Sequence, residues 1–398
     1  MEQVLSREEQ ELCKLLSDAL HGKEYSNTPM GIDWMKLIQM ADRHKVLPLL
    51  YDLLQEIDIS EIQKKSMEQM TRQIVKQTYR LLFLGKSIIE ELKEHGIDAI
   101  LLKGCGVAAL YPVPEYRKSG DIDLLLQNQQ EVINACKILE KHGFKKEDKQ
   151  HANYHVACTG TDGIELELHM ALAEDFDNEK ANQYLKKCQS AFFEHRINAD
   201  VMGVEFSLAT KPYQAFYLLL HMLHHFLRSG FGLKLLCDWV VFWEQPVADE
   251  EKELFINMCN QIGITGFAYL VTRLCTDFLG LDKNKVFFIV RKEQMKKETI
   301  FMFMKEIFEA EEFGHSDSNR MVVLRGIKLK DYMREFHHQM KLTYPKACRC
   351  IVLYPVLWMM TLYGFLYRNR KIRGTSSGAI LKKTYKRSKL MDQMHLFQ

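Results

Sequence analysis

Apolar and polar positions divide this chain into stretches of different period. Through about residue 95 the apolar residues recur at helical spacing. Ser6 followed by Glu9 makes a capping box ahead of an amphipathic first helix. Residues 32–45 predict a second helix, 46–50 begin the next, and 60–94 predict a long one that stops at Gly96. The period then changes. Residues 97–102 (IDAILL) form an apolar run, and in 121–126 (DIDLLL) Ile122 and Leu124 alternate with Asp121 and Asp123, the signature of strands. Asn128 caps a helix reaching Lys141, closed by Gly143, and Phe144 opens a charged stretch (KKEDKQ) read as a solvated connection. Residues 154–158 and 164–169 predict two strands joined by a Thr-Gly-Thr-Asp-Gly turn. Helical spacing returns over 212–242 and 250–310, and 314–319 (GHSDSN) reads as a loop. The predicted fold class is α/β (α+β), a core over 96–200 flanked by helical regions over 1–95 and 201–345, with an apolar and basic tail over 346–398.

Composition narrows the function classes only slightly. With 398 residues, 47% of them apolar and 27% charged, the chain can build two or three domains. A net charge of +2 supplies no global basic field, so nucleic acid is not the default partner. Ten cysteines lie scattered without a C-x-x-C pair, Cys348 and Cys350 being the closest. That pattern predicts reduced thiols in a cytoplasmic protein rather than a zinc site or a disulfide framework. The N-terminal MEQVLSREEQELCKLL is acidic and amphipathic, unlike a signal peptide.

The chemistry concentrates in residues 97–126. Asp121 and Asp123, two apart on a strand, project from one face, where two like charges call for a cation between them. Hard oxygen donors of this kind suit Mg²⁺, bound together with substrate phosphates. Upstream, the first strand ends at Lys103-Gly104 and turns into a helix, offering free backbone N–H groups to a phosphate, with Gly104 and Gly106 permitting close approach. A solvated pair of charges is the plainer reading of either piece alone; the ordered combination of strand, Lys-Gly turn, Arg117, Ser119 and Asp-x-Asp is more specific. On the strand over 164–169, Glu165, Glu167 and His169 share a face opposite Ile164, Leu166 and Leu168. Alternation alone leaves Glu165 and Glu167 both open as a third carboxylate; an exposed edge face is the structural alternative. His221 and His225, four apart, share a helix face and suit an acceptor pocket or a buried network better than a metal, and Lys234 and Asp238 form an ion pair or line the cleft. His44 reads as a helix-surface or packing histidine, with a functional role as the alternative.

The run L-K-G-x-G…Y-P-x-P-x-x-R-x-S-G-D-I-D-L-L resembles the bacterial uncharacterised nucleotidyltransferase family, a branch of the DNA polymerase beta-like superfamily. The resemblance extends over most of the chain, including Ala41–Leu50 and the histidines of 212–242, with its specific motifs in the centre. It implies a small mixed sheet, two metal-binding aspartates and transfer of a nucleoside monophosphate from an NTP to an acceptor, with two Mg²⁺ ions and release of pyrophosphate. On that likeness Asp121, Asp123 and Glu167 are catalytic and metal-binding, Glu167 being favoured by its E-L-H setting. Lys103, Gly104, Arg117, Ser119 and Lys234 hold the triphosphate. The sequence departs from the wider superfamily at Cys105, where a serine or glycine normally follows the turn glycine; Lys103 or Arg117 is expected to replace the lost hydroxyl contact.

The acceptor is open: a small molecule, a peptide, a protein or an RNA end. Two rival classes stand beside the enzyme, a non-catalytic or regulatory protein on the same fold, such as a toxin–antitoxin component, and a membrane-surface scaffold. The second rests on residues 351–367 (IVLYPVLWMMTLYGFLY), an apolar, aromatic stretch beside RNRKIR. It reads either as a buried C-terminal helix or as a peripheral membrane contact. The basic KKTYKRSK beyond it is expected to be mobile.

Overall fold

A computed structural model describes residues 5–24, 29–55, 57, 59–147, 154–176, 178–228, 230–290, 296–310, 329–344, 347–367, 390–394 and 396. The GHSDSN segment, the second half of KKEDKQ, RNRKIR and KKTYKRSK lie outside the described residues, and the first two lysines of KKEDKQ, expected in a solvated connection, form a short strand.

The N-terminal third is helical: α1 (Arg7–Leu20), α2 (Trp34–Arg43), α3 (Tyr51–Gln55) and α4 (Glu61–Glu94). The start signals act as their chemistry requires. Ser6 accepts from the Glu9 N–H while the Glu9 carboxylate accepts from the Ser6 N–H, and Ser60 and Gln63 repeat the exchange at α4. A sheet follows, built from β1 (Ile100–Leu101), β2 (Asp121–Leu125), β3 (Lys145–Lys146), β4 (His155–Thr159) and β5 (Glu165–His169) in the order β1-β2-β5-β4-β3. It is mixed: β2 and β5 run parallel, and every other neighbouring pair is antiparallel. The short α5 (Cys105–Ala108) follows β1, and α6 (Gln129–Lys141), capped by Asn128, follows β2.

After α7 (Glu179–Glu194) comes a hairpin that the hydrophobic pattern does not announce, β6 (Arg196–Val201) and β7 (Val204–Ala209). Met202 and Gly203 both take positive φ, 55° and 83°, the two-residue turn whose twist suits a hairpin. The helical stretch predicted over 212–242 is two helices, α8 (Lys211–Arg228) and α9 (Leu233–Trp243). Then come α10 (Asp249–Gln261), α11 (Thr265–Phe278), α12 (Lys283–Val290), α13 (Lys297–Ala310), α14 (Leu329–Thr343) and α15 (Tyr354–Tyr367).

Two cores result. The larger joins α1 and α2 to α7–α13, so both ends of the chain share one helical body around Trp239, Trp243, Phe216 and Phe267. The smaller lies on the other face of the sheet, where Ile122, Leu124, Leu166 and Leu168 pack with α4, α6 and the hairpin. The sheet therefore presents its acidic face to the helical body. Near the C-terminus Leu390, Met391 and Met394 return into the larger core, and the Met394 backbone lies where any side chain on Gly266 of α11 would collide with it.

The tail helix is not buried. Ile351, Val352, Met359 and Tyr363 are all at least 70% exposed, while Leu357 and Thr361 face inward and Trp358 donates to His337 of α14 at 3.3 Å. An apolar surface runs almost round the helix, and among the described residues α14 is the helix packed against it most strongly. No helix among the described residues is long and apolar enough to cross a membrane.

Candidate functional site

The register of the two central strands sets the site. Because β2 and β5 are parallel, Asp121 lies beside Glu165, Asp123 beside Glu167 and Leu125 beside His169, all on the face turned towards α8. The Gln189 amide on α7 donates to the Leu126 and Met170 carbonyls, 3.0 Å each, and so clamps the strands together just past their ends.

Two cations are interleaved with the carboxylates. Lys103, just beyond β1, places Nζ 3.1 Å from both Asp121 Oδ2 and Asp123 Oδ1. His169 places Nε2 3.1 Å from Asp123 Oδ1 and 3.2 Å from Glu167 Oε2. Asp123 is fully buried, and its Oδ2 has no partner among the described residues. Ligand atoms of Asp123, Glu167 and His169 all lie within 4.8 Å of one another. Glu165, two residues earlier at the start of β5, is exposed and outside that group.

The electrostatics follow from this interleaving. Burial pulls the Lys103 pKa down, but Asp121 and Asp123 more than offset it, and the amine is held well above its ordinary value. Burial, with Asp121 beside it, pushes Asp123 up to about 6 despite Lys103 and His169. Burial raises Asp121 too, yet Lys103 wins there and the net shift is downward. For Glu167, the His169 hydrogen bond and the Lys103 charge overcome burial and lower the pKa strongly. Burial disfavours the charged form of His169, but its contacts with Asp123 and Glu167 reverse this and raise it to about 9.

The turn after β1 is shaped by Gly104, whose φ of 67° and ψ of −119° belong to a region that glycine occupies readily. Cys105 points into the smaller core and is buried, its thiol pushed up to about 11 chiefly by that burial, so it is packing and not a phosphate donor. Since α5 spans only four residues, the cationic character of this corner comes from Lys103.

Arg117 and Ser119, expected at the triphosphate, line the cleft but are tied into the protein. Arg117 donates from Nε to Asp238 Oδ1 at 2.7 Å, from Nη2 to Oδ2 at 2.8 Å and from Nη1 to the Ser119 hydroxyl at 2.7 Å, and the Tyr111 hydroxyl donates to Asp238 Oδ1 at 2.7 Å. This buried cluster fastens the loop before β2 to α9. Asp238 thus pairs with Arg117, and Lys234, four residues earlier, faces the cleft.

Opposite the acidic face stands one stripe of α8. Tyr217, His221, His224 and His225 line a cleft of about 310 Å³ together with Lys103, Asp121, Glu165, Glu167, His169 and Lys234. His221 and His225 are hydrogen-bonded through their Nε2 atoms at 3.2 Å, and His224 Nε2 is 3.2 Å from the Tyr154 hydroxyl. Burial, reinforced by neighbouring positive charge, depresses all three imidazoles well below the ordinary histidine value. His44 does not itself line the cleft; it is buried against Phe308 and accepts the Leu233 N–H at 3.3 Å, behind the start of α9. Tyr154, His155, Tyr217 and His224 were not singled out by sequence. For His224 the H-M-L-H-H run was a usable signal, since it continues the stripe begun by His221. The others have no local pattern that marks them.

A lysine just beyond β1, with three carboxylates and a histidine on β2 and β5, facing neutral imidazoles across a cleft, can neutralise a polyanion and hold a divalent cation. Comparison with known proteins agrees at the level of family. No curated protein matches the chain. A nucleotidyltransferase-like antigenic protein from Paracoccidioides brasiliensis is similar at 16% identity over 51% of this chain and 93% of its own, but the TM-score of 0.30 does not establish a shared fold. The model of the family described as "Uncharacterised nucleotidyltransferase" matches residues 30–280, which take in β1, β2, β5, α8 and α9 with every cleft residue named above. The chain belongs to the uncharacterised nucleotidyltransferase family.

Proposed function

We propose that the chain is an active nucleotidyltransferase of the DNA polymerase beta-like superfamily, moving a nucleoside monophosphate from an NTP to an acceptor and releasing pyrophosphate. The observation that carries this reading is the convergence of Lys103 after β1, Asp121 and Asp123 on β2, and Glu167 on β5. The orphaned, buried Asp123 Oδ2 fits a divalent cation such as Mg²⁺. Asp121, Asp123 and Glu167 would hold one or two such ions, which when bound polarise the phosphate and stabilise the oxygens that attack and leave.

Lys103 and Lys234 supply positive charge for the triphosphate, and Gly104 keeps the turn open to close approach. Arg117 and Ser119 belong to this set chiefly by fixing the loop: three Arg117 N–H groups are already bonded, and a terminal N–H on each of Nη1 and Nη2 has no described acceptor. The acceptor nucleophile attacks the α-phosphorus, the bond to the bridging oxygen breaks, and pyrophosphate leaves as the acceptor loses its proton. The acceptor side of the cleft is the neutral face of His221, His224 and His225. Ten unpaired thiols suit a cytoplasmic setting. The exposed apolar face of α15 favours, in addition, a peripheral membrane contact.

Incubation with each α-labelled NTP, Mg²⁺ and fractionated cell extract tests the proposal. Label appearing in one fraction, and lost with Asp123→Asn, is expected. Nucleotide binding without transfer to any fraction would favour the regulatory alternative.

A further inference from the structure

Resting on the transferase reading, we infer that His169 is itself a metal ligand, and that the ion held with Asp123 and Glu167 is one that accepts nitrogen, Mn²⁺ ahead of Mg²⁺. The argument begins with the single atom that lies between the two carboxylates. His169 Nε2 is 3.1 Å from Asp123 Oδ1 and 3.2 Å from Glu167 Oε2. One N–H cannot point at two oxygens at once, so as a hydrogen-bond donor the ring serves at least one of them poorly. A cation seated among the three atoms serves all of them.

The spacing is already that of a coordination shell. Adjacent ligands on an octahedral ion with bonds of about 2.1 Å are separated by about 3.0 Å, the bond length times the square root of two. Both histidine-to-carboxylate distances come within a few tenths of an ångström of that, and all three ligand atoms fall within 4.8 Å of one another. Asp123 Oδ2, buried and unpartnered among the described residues, is a further oxygen of the same carboxylate with no other described task. Such an arrangement needs little side-chain movement to close on an ion.

The donor set then discriminates between ions. Mg²⁺ takes oxygen and retains its waters, whereas first-row transition ions accept an imidazole nitrogen more readily, Mn²⁺ least among them and the later ions increasingly. The Asp121–Asp123 edge, bridged by Lys103, is all oxygen and carries no such preference; the Asp123–Glu167 edge carries it because His169 completes it. A position beside the carboxylates therefore selects the ion.

Mn²⁺ binding followed by electron paramagnetic resonance, with pulsed detection of ¹⁴N coupling, tests this directly on the full chain. Imidazole coupling is expected in the wild-type Mn²⁺ complex. In His169→Gln that coupling should disappear and Mn²⁺ affinity fall at least tenfold, while Mg²⁺ affinity, read by competition, changes less than about twofold. Persistence of the coupling in the variant would assign it to another cleft histidine and overturn the inference, as would a Mn²⁺ complex without nitrogen coupling or an equal loss for both ions. Should His169→Gln fail to fold, an absent wild-type coupling still overturns the inference, and a present one is assigned by its loss or persistence in unlabelled His169→Asn. The transfer assay with Mg²⁺ alone separates the two readings: transfer without nitrogen coupling removes this inference only, and coupling without NTP turnover removes the transferase only.

Discussion

Asp123 sits where two salt-bridge pairs meet, Lys103 and His169 both reaching its Oδ1. Substituting its neighbours should expose how unequal they are. Glu167→Gln is expected to abolish nucleotidyl transfer with the fold retained by circular dichroism, and Glu165→Gln to cost far less, since only Glu167 shares the buried centre with Asp123. The reverse ranking would move the third carboxylate to the strand edge. The same cluster predicts a pH dependence of metal-free stability. His169 has a folded pKa of about 9 against 6.5, so its contribution is fully present below pH 6.5 and is lost as pH rises through 9. Up to about 3 kcal/mol is involved. Glu167 acts oppositely, contributing above its ordinary pKa and losing that contribution as pH falls. Denaturation of the chelator-treated protein from pH 6.5 to 9.5 should show the decline, and His169→Gln should flatten it. At this scale the sequence was informative where period two operates, as at Asp121, Asp123, Glu165 and Glu167. It could not select between the two glutamates, because alternation gives them the same direction and only burial differs.

Elements fix what single residues cannot. The loop between α5 and β2 is anchored to α9 by the buried Arg117–Asp238 pair. Asp238→Ala would strand a buried guanidinium and is expected to cost about 3–5 kcal/mol in urea unfolding. Loss of less than about 1 kcal/mol would mean that water replaces the carboxylate. Gly104 offers a second check on an element. A side chain there is strained by the positive φ, so Gly104→Ala should destabilise by about 1–3 kcal/mol and weaken nucleotide binding in titration. An unchanged affinity would remove the turn from the phosphate role. The capping boxes at Ser6 and Ser60 and the Asn128 cap were legible because their hydrogen bonds are local in sequence. The β6–β7 hairpin was not, since its turn depends on Met202 adopting a positive φ that a methionine does not advertise.

Over the whole molecule, the C-terminal segment divides into parts with opposite behaviour. Truncation before Ile351 removes Leu390, Met391 and Met394 from the larger core and the Gln393 partner of Thr299, so it should lower the melting temperature markedly. Replacing exposed Met359 and Tyr363 by lysine should leave both melting temperature and nucleotide affinity unchanged while reducing any flotation with anionic liposomes. Equal flotation of wild type and variant would end the membrane reading. A truncation that keeps the wild-type melting temperature would show that the returning residues do not stabilise the body.

By itself, the sequence determined whatever depends on neighbours along the chain. It set the helical first 95 residues, the strands around Asp-x-Asp and Glu-x-Glu-x-His, the caps, and the joint direction of each carboxylate pair, because helix and strand periods are local geometry. Tertiary structure decided the matters that require distant residues to meet. Parallel pairing of β2 with β5 put Asp123 beside Glu167, and α8 brought three histidines and Tyr217 over them. Asp238 went to Arg117 rather than to the lysine one turn away on its own helix, because burying a guanidinium demands a carboxylate on two of its nitrogens. The apolar tail helix lies at the surface while Leu390, Met391 and Met394, which follow it in the chain, sit in the larger core. Apolar character within the helix does not encode that division, because it depends on residues distant in sequence.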